Sequence, residues 1–276
     1  MTSLISYEFR CDWRVVLSLL SPDSIYNGQM TNRLLEVKFF FFLRPIHAMS
    51  HRMVRRLHVD VRRELPRHGY AQLGSRKVIK VEGPDAVRFL QGLTTNQMNR
   101  IAQGGEGVQT AFLNAQGRVM MDAFVYPSNT SQQQEAVFYV DCDASDQLVD
   151  HLCRYKLRLK VDVNTDEWRV WQAWGPTALS LWGYTALPKG VPVGSMVARP
   201  FARIGCRDPR HPQLGIRFLL NASETPKLPE AFVASTEDEF KLVRILNGIP
   251  EGSQDFFASH SLPLESNLDL TGGSKP

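Results

Sequence analysis

The chain has 276 residues, 43% of them hydrophobic and 22% charged, a balance that suits a globular protein of one large or two ordinary domains. Its formal charge of +4 is unevenly spread: 11 of the 32 lysines and arginines, but only 6 of the 28 acids, fall within residues 1–68, leaving 21 cations against 22 anions. The body is therefore close to neutral, which excludes a basic nucleic-acid footprint, and the pI near 8.9 reports the amino-terminal leader.

Residues 44–68 carry Arg44, Arg52, Arg55, Arg56, Arg62, Arg63 and Arg67 against only Asp60 and Glu64, the balance of a mitochondrial presequence. Met53, Val54, Leu57 and Val61 recur at helical spacing, which predicts an amphipathic helix with basic residues on its other side; an ordinary solvated helix reads the same way. Glu8, Asp12, Asp23 and Glu36 suit a presequence less well. The run LLEVKFFFFL is too short and too charged for a membrane span.

From residue 78, VIKVEG predicts a strand, and Gly83-Pro84-Asp85 opens a helix through Leu93. Residues 108–113 and 119–126 read as strands joined by Asn114-Ala115-Gln116-Gly117, with a third strand at 136–140, so an antiparallel meander is expected. Periodicity predicts a helix over 145–156 and a return strand at LRLKV, residues 157–161. RVWQAW then gives a strand, Pro176 opens a short helix, and residues 188–192 form a loop. Strands follow at MVARPF (196–201) and LGIRFLL (214–220), and residues 237–247 read as a helix closed by Gly248. Trp168 and Trp174 share one strand face among apolar residues, which points to core packing. The implied division is a leader at 1–68, α+β units at 69–165 and 166–252, and a carboxy-terminal segment at 253–276.

Cys11, Cys142, Cys153 and Cys206 lie far apart with no paired spacing, and His151, His211 and His260 are scattered, so no metal site is assigned. No acid and base pair, Walker-type loop, nucleophile elbow or dinucleotide fingerprint is present, so no catalytic residue is assigned.

RILNGIPEG at Arg244, followed by LPLESNL, carries Gly248, Pro250, Glu251, Gly252, Leu262, Pro263, Glu265 and Asn267 in a spacing that resembles one family. Together with GYAQL, FLQGLTTNQ, AFLNAQGRVMMDAFVY, HLCRYKLRLKV and DPRHPQLGIRFLL in the same order, it resembles the mitochondrial iron-sulfur cluster assembly factors. These are relatives of the folate-binding YgfZ proteins and of the aminomethyltransferase (GcvT, T-protein) of glycine cleavage. The resemblance implies an α+β fold, a GcvT-like arrangement of two α+β units with antiparallel sheets around a central pocket. In the family a Lys-Gly-Cys segment follows LPLE-x-N and leads into a terminal β-barrel domain; before Pro276 that segment is absent and the barrel is expected to be largely missing.

The family resemblance also implies the biology: help in late assembly of four-iron clusters in the mitochondrial matrix, an A-type iron-sulfur carrier as partner, and client iron-sulfur enzymes. The cluster would be held only transiently, its ligands shared with the partner. Tetrahydrofolate or a related folate is the implied cofactor. A tetrahydrofolate-dependent aminomethyl or one-carbon transferase is the alternative, and Met121, standing where aminomethyltransferases carry a second acid, argues against it. Candidate pocket residues are Asn96 and Gln97, whose amides suit a pterin edge or a helix end, and Asp122, which suits a pterin ring or a pair with Arg118. Arg210 and Arg217 are suited to a folate glutamate tail or to plain solvation. Glu251 and Glu265 read as acids held in proline-fixed turns by arginine or backbone hydrogen bonds.

Overall fold

The computed structural model describes residues 65–128, 136–182 and 204–274, together with the backbone of three short strands at 3–8, 14–19 and 37–39. Those strands, β1 (Ser3–Glu8), β2 (Arg14–Leu19) and β3 (Val37–Phe39), form an antiparallel sheet in the order β1-β2-β3 within a unit spanning Met1–Glu64. The amphipathic helix expected over residues 53–61 lies outside the described residues, as do the strand at 196–201 and the loop at 188–192.

The second unit, Leu65–Pro276, contains two five-stranded sheets. The first has the order β6-β7-β8-β5-β9, built from β5 (Lys77–Gly83), β6 (Val108–Leu113), β7 (Val119–Pro127), β8 (Ala136–Cys142) and β9 (Asp162–Asp166), all antiparallel. The second has the order β11-β12-β10-β4-β13, from β4 (Gly69–Gln72), β10 (Trp168–Trp174), β11 (Ile204–Arg207), β12 (Ile216–Asn221) and β13 (Val233–Ala234). Among the described strands only β13 runs parallel to its neighbour, β4. Strand β4 crosses the linear division of the sequence: it precedes the first sheet in the chain and pairs with β10 of the second.

The period of two along each strand sorts the side chains into layers. Ile79 and Val81 of β5, Met121, Ala123 and Val125 of β7, and Phe138 and Val140 of β8 pack against α1 (Ala86–Leu93) and α2 (Ser145–Lys156). The intervening Val78, Phe124, Tyr126, Val137 and Tyr139 face the second sheet and join Ala71, Val170, Trp174 and Leu219 in a shared core. Ala173, Ile216, Phe218 and Leu220 point the other way, into a third layer with Ala178 and Phe232. Trp168 and Trp174 share the inter-sheet face and Trp171 the opposite one, so these tryptophans are packing residues.

Local chemistry sets the element ends. The β6–β7 hairpin closes on Asn114, whose side-chain oxygen accepts from the amides of Gln116 and Arg118, and Gly117 supplies φ 74°. Helix α3 (Glu237–Leu246) starts with a capping box: Thr236 Oγ1 accepts from Glu239 N while the Glu239 carboxylate accepts from Thr236 N. It stops at Gly248, with φ 70°. LRLKV departs from expectation. Leu157 adopts φ 46°, which ends α2 abruptly, so residues 157–161 form the turn and pairing with β5 begins only at Asp162.

After α3 the chain makes successive turns along the first sheet. Val119 N donates to Ser261 O and Ser259 N to Val119 O, and Leu268 inserts between Ala111 and Val119.

Candidate functional site

Strand periodicity that places Phe124 and Tyr126 between the sheets also places Asp122 there, and on β8 and β12 it does the same for Asp141 and Arg217. These charges meet in a buried network. Arg76, in the turn before β5, donates from Nε to Asp141 at 2.6 Å and reaches Asp122 at 3.3 Å. Arg217 donates from Nε to Asp141 at 2.7 Å and from its NH1 nitrogen to Glu251 at 3.0 Å. Arg210 grips Asp208 through Nε and its NH2 nitrogen, at 2.9 and 2.7 Å, and donates to Glu251 as well. The guanidinium carbons of Arg217 and Arg210 lie 4.4 and 5.0 Å from the centroid of the Phe124 ring.

The GIPEG turn docks onto this network. Glu251 receives Arg210 and Arg217, the Gly252 amide donates to Asp122 at 2.8 Å, and the Glu251 amide donates to Asp255, which Arg244 also holds. Burial pushes the Glu251 carboxyl up, but Arg210, Arg217 and Arg76 outweigh it and hold the group well below the usual carboxylate range. Asp122 behaves in the opposite way: burial raises it, and Arg76 offsets only part of the rise. For Arg76, Arg210 and Arg217 burial is likewise the largest influence and lowers each, but their carboxylate partners hold all three above the ordinary guanidinium value.

Arg210 and Arg217 are thus buried and engaged by internal carboxylates, which corrects their reading as solvated surface residues. Asp122 pairs with Arg76 rather than Arg118, whose NH1 nitrogen donates to His260 O at 2.7 Å. Met121 faces the helices, on the opposite side of β7 from Asp122, so its lack of a carboxylate does not bear on the inter-sheet site.

A recess flanks the network on each side of Arg210. A cleft of about 500 Å³ is lined by Ser75, Arg76, Asp143, Glu251 and Gly252. A cavity of about 460 Å³ is lined by Asn96, Glu106, Gln109, Arg207, Asp208 and Gly272. Within that cavity Asn96 is fully committed: its amide nitrogen donates to Gln109 O and Gly272 O, and its oxygen accepts from Gln97 N. Gln97 itself is exposed at the start of the 3₁₀ turn Met98–Ile101. Two buried oxygens in the cavity, Gln109 Oε1 and Glu106 Oε1, have no hydrogen-bond partner among the described residues. Both are acceptors shielded within the cavity wall, each able to take a donor that reaches it.

Of the remaining signature residues, Gly248 and Gly252 adopt φ 70° and 74°, and Glu265 accepts from the Leu262 amide. Pro263 O accepts from Leu268 N, and Asn267 adopts φ 54°. Leu262, Pro263, Glu265 and Asn267 shape the turns that seat Leu268 and lie outside the charged network, whereas Gly252 touches it through Asp122. Sequence reasoning missed Arg76, Asp141, Asp208, Glu106 and Gln109. The one local signal was Asp141, a charge at the end of the apolar strand AVFYVDC.

Two facing antiparallel-rich sheets with helices on an outer face define a protein of the aminomethyltransferase fold. The structure is similar to the glycine cleavage system aminomethyltransferase T from Bartonella henselae, with a TM-score of 0.54 and 15% identity over 78% of this chain and 60% of that one. The chain belongs to the GCVT N-terminal domain family, whose model matches residues 41–185. It is similar to proteins named iron-sulfur cluster assembly factor IBA57 homolog, mitochondrial. That of Pyricularia oryzae is 37% identical over 209 residues, covering 74% of this chain and 49% of the relative. Those of Chaetomium globosum and Cryptococcus neoformans var. neoformans are 37% and 32% identical, with 74% of this chain and 48% and 57% of the relatives covered. The chain spans about half the length of the curated relatives it matches. Among the described residues no helix is long and apolar enough to cross a membrane.

Proposed function

We propose that the chain acts in late mitochondrial iron-sulfur cluster assembly, helping four-iron clusters mature in the matrix together with a carrier of the A type. The observation that carries this reading is the 37% identity with proteins named mitochondrial iron-sulfur cluster assembly factors. Among the described residues Cys142 and Cys206 lie in different cores and Cys153 is exposed; in this role the cluster would be cargo, shared with a partner.

The 460 Å³ cavity falls within the range of small-molecule sites, and a folate fits its chemistry. A pterin offers an amino group and a ring N–H, which the unpartnered oxygens of Gln109 and Glu106 would accept once their side chains turn toward the cavity. Asn96 positions the backbone around that edge, and Arg207, which donates to Glu106, orients its carboxylate. A bound tetrahydrofolate would supply a reduced pterin. The buried network holds the cavity wall in place through Asp208.

The test is expression of the chain in yeast mitochondria depleted of their own assembly factor. Restored four-iron enzyme activity, with two-iron enzymes unaffected, is expected; no restoration by a stably accumulated, imported chain would overturn the reading. Titration of tetrahydrofolate by calorimetry tests the cavity separately, with weakened binding expected for Gln109→Ala.

A further inference from the structure

The segment HLCRYKLRLKV ends α2 and forms the turn before β9; its ends pack into the first core through Leu152 and Val161, while its middle builds a surface groove. This groove, about 790 Å³, lies between α1 and the turn after α2, remote in sequence from the charged network. Phe89, Leu93 and Leu159 give it apolar walls, and Gly92 forms an open floor, where an added Cβ would meet nothing within 4 Å. At its rim Tyr155 is 41% and Leu157 84% exposed. Leu157 is held outward by a left-handed backbone, a conformation that strains any residue but glycine.

The rim is also cationic. Arg88 and Arg158 line the groove, and neither forms an ion pair among the described residues. Arg154 and Lys160 are exposed nearby. Of the nearby acids, Asp85 also lines the groove and keeps its charge while accepting from the Lys160 amide, and Asp162 pairs with Lys156 at 3.5 Å. With Arg88 and Arg158 against the single carboxylate of Asp85, the lining keeps a cationic excess, and an apolar recess of that kind is complementary to an apolar side chain flanked by carboxylates. A bilayer surface would meet the rim but leave the recess empty.

We propose that this groove docks an acidic segment of a protein partner, one bulky apolar residue entering between Phe89 and Leu159 and flanking carboxylates meeting Arg88 and Arg158. The groove is independent of the folate cavity and of the cluster-assembly reading.

The test uses the full chain and a fluorescein-labelled peptide, Asp-Glu-Leu-Phe-Glu-Asp, followed by anisotropy. A dissociation constant on the order of tens of micromolar is expected, weakening as salt rises. A peptide with Ser-Gly in place of Leu-Phe, and one with lysines in place of the acids, should each bind at least about tenfold more weakly. Gly92→Trp should fill the groove and abolish binding, whereas Gly92→Ala should not. Leu157→Gly relieves the strained backbone, so it should melt no lower than the parent while binding more weakly, which separates docking from folding. Equal binding of all three peptides, or full binding by Gly92→Trp, overturns the proposal. Binding of anionic phosphatidylserine vesicles in preference to the peptide, or self-association that Gly92→Trp removes, would assign the surface to a membrane or to a second copy instead.

Discussion

Replacing Glu251 by alanine tests whether the GIPEG turn is held by the buried charges. The carboxylate is nine-tenths buried and receives both Arg210 and Arg217, with Arg76 at 3.9 Å. Its removal leaves two guanidinium groups facing a void, and breaking a buried ion pair by deleting one partner costs about 3–5 kcal/mol. For a unit the size of Leu65–Pro276, each kcal/mol lowers Tm by roughly 2–4 °C, so a drop of about 6–20 °C is expected. Glu251→Gln keeps the volume and one acceptor and should lose about 1.5–3 kcal/mol, near the worth of one charge-assisted hydrogen bond. Because Glu251 is held below its unfolded value, its contribution is fully present above roughly pH 4.3 and is lost as pH falls through the lower folded value. The gap between parent and Glu251→Gln should therefore be constant from neutral pH down to about 5 and narrow below about 4. Urea unfolding followed by circular dichroism across that range measures it. A cost for Glu251→Ala below about 1 kcal/mol would refute the network as the clasp of this turn.

The two inter-sheet aspartates should behave differently. Asp122→Asn keeps the oxygen that accepts from Gly252 and removes a carboxylate whose value burial raises, so at pH 7 it should be neutral or stabilising. The parent should gain on this variant as pH falls through the raised value. Asp141→Asn disturbs Arg76, Arg217 and Tyr126 together and should cost about 3 kcal/mol or more; the reverse order in unfolding experiments would contradict the geometry. Gly107→Ala would set a Cβ 2.3 Å from the buried Tyr126 ring and should cost about 1–3 kcal/mol, measured in the same way. At pH 7.5, iodoacetamide with peptide mapping should label Cys153 and spare Cys142, whose thiol burial pushes up to about 12; labelling of both at similar rates would show that the first core opens readily.

Much of the scaffold was legible because its causes are local. The capping sequence before residue 237, Gly248 at a positive φ, the Asn-Gly hairpin and the alternation in the meander each act over a few residues, and each appears in place. LRLKV misled because its alternation mimics a strand, while the backbone reversal at Leu157, which no residue type announces, turns it into a loop. In the site, Asp122, Arg210, Arg217 and Glu251 were selected from the sequence and do converge. Their partners were hidden by distance along the chain: Arg76 meets Asp141 across 65 residues and Gly252 meets Asp122 across 130. A charge that serves another buried charge looks, in sequence, the same as one that awaits a ligand.

That ambiguity has a physical basis, because a buried ion pair contributes little net stability compared with apolar packing of the same volume; what it supplies is a definite geometry. Here four arginines, at 76, 210, 217 and 244, face five carboxylates, at 122, 141, 208, 251 and 255, drawn from both sheets and from the turn after α3. A greasy interface between the sheets would tolerate sliding; this one has few satisfied alternatives, since any shift strands a charge away from water. The constraint passes directly to the recesses. Asp208 lines the cavity, Glu251 lines the cleft, and Arg210 binds both, so the two walls share one guanidinium. Asp122, whose carboxyl burial raises, receives the turn through the Gly252 amide, where the positive φ and the nearby Asp143 side chain leave little room for any residue but glycine. The signature glycine and glutamate are thereby explained as the fastening of a rigid wall.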